Sequence, residues 1–188
     1  MRNIIRRVIS GLLIGGMLIC PTFAASFPDV DDSAAYVDAV EYVSELGIMV
    51  GDSNGNFNPD QAVTRAEMAA LVCRMLGETE NLQPSDEFSD VPETHWANEY
   101  IARASELEIV NGYGDGTFGP STSLTYEQAV TMVIRAVGGE QESVDAGGYP
   151  EGYLTVATRY DLLKNIESTS GMNMPRSDIA VLIYNCLN

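Results

Sequence analysis

Three stretches of the chain carry apolar residues at the spacing of one buried helical face. Met68, Leu71, Val72 and Met75 form the first, Ala129, Met132, Val133 and Ala136 the second, and Ile179, Leu182, Ile183 and Cys186 the third. Each set follows i, i+3, i+4, i+7, which predicts a helix with a single inward stripe. Thr64 with Glu67, and Thr125 with Gln128, have the spacing of a capping box and mark two of the starts. Gly77 and Gly138 mark the stops. Tyr36, Val40, Val43 and Leu46, then Ala97, Ile101, Ala104 and Leu107, predict a further helix ahead of each of the first two. The pattern is helix, loop, helix, with polar, flexible segments at Glu78 to Glu87 and Gly139 to Gly147 in between.

The units are copies. Shifted by 61 residues, the sequence meets itself without a gap: Phe27-Pro28-Asp29-Val30 falls on Phe88-Ser89-Asp90-Val91, and Asn54-Gly55-Asn56-Phe57 on Asp115-Gly116-Thr117-Phe118. A shorter third copy follows, offset by 53 at Tyr160 to Asn165 and by 50 at Arg176 to Asp178. Its connection, Ile166 to Met174, lacks the Asp-Gly-Thr-Phe turn. One helical hairpin cannot bury its own stripe, so the copies are expected to pack on one another. The fold expected is all-α, with three helix–loop–helix repeats arranged with pseudo-threefold symmetry around their second helices. The repeats span 27–77, 88–138 and 146–188.

Ahead of the repeats, Arg2, Arg6 and Arg7 precede an apolar run from Val8 to Ile19, and Thr22-Phe23-Ala24 follows. That order is a secretory signal with cleavage after Ala24. The run is too short for a spanning helix, which needs about 20 residues. Ile19 before Cys20 does not suit lipidation. The leader holds three of the 10 basic residues and none of the 27 acidic ones, so the remainder is strongly acidic. That argues against nucleic acid and anionic membrane surfaces, which select basic patches. Cys73 and Cys186 permit a disulfide in an exported chain, but each lies on an apolar stripe, where a small buried hydrophobe is the other reading.

Taken in order, Phe-x-Asp-Val, His95-Trp96-Ala97, the turn from Gly112 to Pro120, and Thr64-Arg65-Ala66-Glu67 resemble S-layer homology domains over Phe27 to Asn188. Gly147-Gly148-Tyr149-Pro150 and Met174 to Asp178 are similar to a degenerate terminal repeat of that family. The resemblance implies a three-pronged helical module on the bacterial surface. Its grooves would bind a secondary cell-wall polymer, often pyruvylated, and hold the protein to the wall without a covalent link. A module for self-assembly through protein contacts is the alternative.

The physical case for such a site begins at the helix starts, whose unpaired N–H groups suit an anion. Arg65 and Arg176 stand just inside two of them and are expected to grip a carboxylate from the solvent-facing side. Trp96 offers a flat face to a sugar ring, or fills the core. Glu67 is a ligand contact or only the capping partner. Asp29 and Asp90 are read as braces of the repeat start. Tyr126 replaces the arginine in the second repeat, while Ala35 and Tyr149 replace the tryptophan in the first and third. A groove that takes its arginine and its tryptophan from different repeats keeps both at most once. No metal or other cofactor is expected. In Asp52 to Val63 the glycine comes fourth and no glutamate comes twelfth, so this is a turn and not a calcium loop. With one histidine, His95, and no nucleophile or phosphate-loop motif, the chain does not read as an enzyme.

Overall fold

The structure is a computed structural model that describes residues 27–188, so the expected leader and its cleavage after Ala24 lie outside the described residues. Among the described residues are seven α-helices and no strand: α1 (Val37–Glu45), α2 (Arg65–Leu76), α3 (Asn98–Glu106), α4 (Tyr126–Ala136), α5 (Glu140–Asp145), α6 (Glu151–Arg159) and α7 (Arg176–Leu187). The fold is all-α.

Local sequence sets most of the boundaries. At α2, Thr64 Oγ1 accepts from the Glu67 N–H at 3.2 Å and the Glu67 carboxylate accepts from the Thr64 N–H at 2.8 Å. Thr125 and Gln128 repeat the exchange at α4. Glu67 is thus occupied as the capping partner. Gly77 ends α2 in the left-handed conformation, with φ at 74°, and Gly138 adopts the same sign just past α4. α7 follows Pro175 and has no side-chain cap.

The stripes meet in the middle, where α4 packs on α2 and on α7. Around them each second helix takes the first helix of the next unit: α2 packs on α3, α4 on α6, and α7 on α1. The last pairing closes the first described helix onto the last. At the centre, three extended residues form a closed ring of backbone bonds. The Val63 N–H donates to Met174 O at 3.0 Å, the Met174 N–H to Leu124 O at 2.9 Å, and the Leu124 N–H to Val63 O at 2.8 Å. All three side chains are buried. The ring gives the three units their pseudo-threefold relation.

Two expectations are corrected. Gly139 to Gly147 is not a flexible segment, because it contains α5. This helix has little apolar surface and is held by polar anchors: Glu140 by Arg135 and by the Tyr153 hydroxyl, and Glu142 by Arg159 and Tyr160. Gly152 lets α6 approach, since a Cβ there would lie 2.0 Å from Ser143 O. Leu46 is not an inward position. It caps α1 at the surface, and Ile48 and Met49 behind it turn into the core. Cys73 and Cys186 are free and buried. Burial pushes both thiols up to about 12.

Candidate functional site

The arginine expected at the surface is inside. Arg65 is only 7% exposed. Its Nε donates to Phe118 O at 2.8 Å and its Nη2 to Asn111 O at 2.8 Å. The guanidinium lies over the rings of Phe118 and Tyr113, 4.5 and 4.9 Å from their centroids. Arg176 repeats the arrangement, with Nε on Phe57 O at 2.6 Å, Nη2 on Val50 O at 2.8 Å and the Phe57 ring at 4.7 Å. Burial lowers the pKa of both guanidiniums, and nearby acidic groups push it back up. Each arginine is a latch on the loop of a neighbouring unit. Tyr126 cannot make this bond, and beside it Glu127 takes over by accepting from the Ser170 hydroxyl and from the Gly171 N–H at 2.8 Å.

The helix starts are also more occupied than their sequence suggests. The Arg65 N–H donates to Thr122 O, that of Tyr126 to Met172 O, and that of Arg176 to Gln61 O. Ala66 and Ser177 donate to Pro120 O and Pro59 O. Neighbouring backbone carbonyls therefore stand where an anion was expected. The two aspartates are braces: Asp29 accepts from Phe57 and Asn58, and Asp90 from Phe118 and Gly119.

Beside the Arg65 latch runs a groove of about 330 Å³. One wall is the loop from Ile109 to Tyr113, the other the face of α4 that carries Gln128, Thr131 and Arg135, and Tyr149 stands at the rim. Tyr149 and Tyr113 are both exposed. Among the described residues Nη1 of Arg65 makes no hydrogen bond, and the Thr131 hydroxyl has no partner but is closed off from solvent beneath the groove. Arg135 is fixed by Glu140 at 2.9 Å and by Tyr153 at 3.3 Å. Its Nη1 lies 3.0 Å from the Asn111 carboxamide oxygen when that amide is turned to satisfy both groups. Sequence reading passed over Arg135 because it lies at the end of a helix, far from any motif. Its one available signal was the repeat, which sets it on Arg74.

Trp96 does not fill the core. It is 59% exposed, with the His95 ring stacked 5.9 Å away. The repeat offsets put it in register with Tyr149 and Ala35. Near Ala35 a wider groove of about 500 Å³ is lined by Asp60, Glu167 and Asp178, with no lysine or arginine.

Two segments of the chain carry a known family signature. Residues 26–69 and 87–130 match the S-layer homology domain. The chain is also similar to a cell surface protein of Thermoanaerobacter kivui, 36% identical over 171 residues, which cover 88% of this chain and 22% of that protein. A middle cell wall protein of Brevibacillus brevis is 30% identical over 195 residues, covering 100% and 18%. An uncharacterized cell wall amidase of Bacillus anthracis is 32% identical over 139 residues, covering 72% and 25%. The chain thus spans a quarter or less of each of these relatives. It is therefore similar to S-layer homology domains over those two segments, and to parts of bacterial cell-surface and cell-wall proteins. The two matched segments hold α1 with the start of α2, and α3 with the start of α4.

Proposed function

We propose that the chain is a non-catalytic anchor that holds to the bacterial wall by binding a secondary cell-wall polymer, an anionic and pyruvylated glycan, without a covalent bond. The observation that carries this reading is the groove of Arg65, Thr131 and Tyr149. It offers an unused guanidinium nitrogen and exposed aromatic faces in one place, above the buried Thr131. An anionic substituent would meet Arg65 at Nη1 alone, since Nε and Nη2 are held by Phe118 O and Asn111 O, and a charge-assisted bond there would still favour a carboxylate. A sugar ring would lie on Tyr149 or Tyr113, as rings with one apolar face do.

The third helix pair, α6 with α7, completes the set as a third repeat in this proposal. Its α7 joins the central ring on the same terms as α2 and α4. The grooves would then be graded by composition. Arg65 serves with Tyr149, and Arg176 with Trp96 by the same rotation. The third position pairs Tyr126 with Ala35 beside three carboxylates, and would reject an anion.

Sedimentation of the purified chain with isolated walls tests this directly. Walls stripped of their non-peptidoglycan polymer should lose binding, and denaturant should release the chain from intact walls. Trp96→Ala and Tyr149→Ala should weaken binding while the circular dichroism is unchanged. Equal binding to stripped and intact walls would overturn the polymer as ligand.

A further inference from the structure

We propose that α1 and the loop after it can be exchanged between two copies of this chain, giving a dimer in which each copy's α1 lies on the other's α7. The argument starts from connectivity. α2 runs through residues 77–97 directly into α3, its packing partner, and α4 runs through α5 into α6. α1 and α7 are partners from opposite ends of the chain, so their contact alone closes the circle without a nearby covalent link. An α7 on a second copy presents the same surface to α1.

The piece that would move holds itself together. The Asp29 carboxylate accepts from the Phe57 N–H at 2.8 Å and the Phe27 ring lies 5.3 Å from that of Phe57, tying the start of the segment to its end. Its attachments lead chiefly to the third unit. Arg176 holds the carbonyls of Val50 and Phe57, and the Tyr42 and Tyr184 rings meet edge-on at 5.3 Å. One long bond from Arg74 to Ile48 O, at 3.4 Å, is the tie to its own second helix. Moving this segment to another copy preserves nearly all of these contacts.

A hinge lies at the right place. Asn58 follows directly on Phe57 and has φ at 58°, while the equivalent Gly119 has 72°. Asparagine tolerates the left-handed region better than most residues but less freely than glycine, and the following Pro59 favours an extended conformation at Asn58. Straightening this residue relieves both. Strained short hinges are where identical elements exchange between protomers. Exchange does not depend on wall binding, though an exchanged pair would offer two sets of grooves to one polymer.

The test uses two variants, Tyr42→Cys and Tyr184→Cys, warmed together at high concentration to the onset of unfolding and then cooled. A short bismaleimide should then link chains of the two kinds into a covalent dimer, and should link neither variant to itself. The double variant reports that the reagent spans the pair, by linking within one chain. Light scattering on the same samples should find a dimer with the circular dichroism of the monomer. Asn58→Gly should reduce the dimer fraction several-fold. Linking within the double variant but none in the mixture, or monomer alone by light scattering, overturns the proposal.

Discussion

Replacing Arg65 by alanine is expected to damage the fold before it damages any ligand contact. The substitution removes two charge-assisted bonds, to Phe118 O and Asn111 O, each 2.8 Å long. Bonds of this kind contribute about 1.5–3 kcal/mol each, and the stacking on Phe118 and Tyr113 adds about 0.5–1 kcal/mol. Against this, freeing a buried arginine returns about 2 kcal/mol of rotamer entropy. Water reaching the carbonyls through the groove returns more. The net loss is then about 2–4 kcal/mol, or roughly 4–16 °C in Tm for a chain of this size. Thr64→Ala, one residue earlier, loses only a cap and about 1 kcal/mol. Arg65→Lys keeps the charge but cannot span both carbonyls, so it falls between the two. Urea unfolding followed by far-ultraviolet circular dichroism measures all three. Trp96 fluorescence is a poor reporter, because that side chain is exposed in the folded state. If Arg65→Ala is no less stable than Thr64→Ala, the latch contributes nothing and Arg65 is held by packing alone.

Four further outcomes are expected. Gly152→Ala should detach α5, since its new methyl would meet the Ser143 carbonyl, and proteolysis should then cut within 139–147. A chromogenic thiol reagent should leave Cys73 and Cys186 untouched at mildly alkaline pH, where thiols pushed up to about 12 stay protonated, and should titrate both in denaturant. Burial pushes Glu140 upward, but bonds from Tyr153 and Arg135 outweigh it and hold the carboxyl below its ordinary 4.5. Its stabilising contribution is therefore full above that value and lost as pH falls through the lower folded one; Glu140→Gln should flatten the acid limb of the stability curve. Asp90→Ala should destabilise more than Asp115→Ala, because Asp90 ties the start of its unit to Phe118 and Gly119 while Asp115 serves only a local turn.

The sequence carried what is local. Capping boxes, stops and stripes are decided within a few residues, and Thr64, Gly77 and Met68 behave in the structure as their spacing implies. The all-α fold followed from the stripes and the repeat. Partner choice did not, because every second helix carries the same kind of stripe and any first helix could in principle cover it. Arg65 shows the limit most clearly. Its position at the first turn of a helix predicts exposure, yet the loop that buries it lies 53 residues further on at Phe118. α5 escaped notice because its order comes from Glu140 and Glu142 reaching Arg135 and Arg159, with hardly any apolar period to read. Trp96 was open to two readings, and only packing could choose between them.

The ring of Val63, Leu124 and Met174 has a consequence for how such a chain can change over generations. The bonds between its members run from backbone to backbone, so they place no demand on side-chain identity beyond an apolar fit, and a valine, a leucine and a methionine serve equally. Sequence differences elsewhere in a unit therefore leave the junction intact, and Met174 holds its place in the ring although the segment around it has neither an Asp-Gly-Thr-Phe turn nor a capping threonine. Loss of a whole unit is another matter. It would strip one donor from a neighbour and one acceptor from the other at the driest point of the molecule. A junction of this kind tolerates change within each unit but not the removal of one.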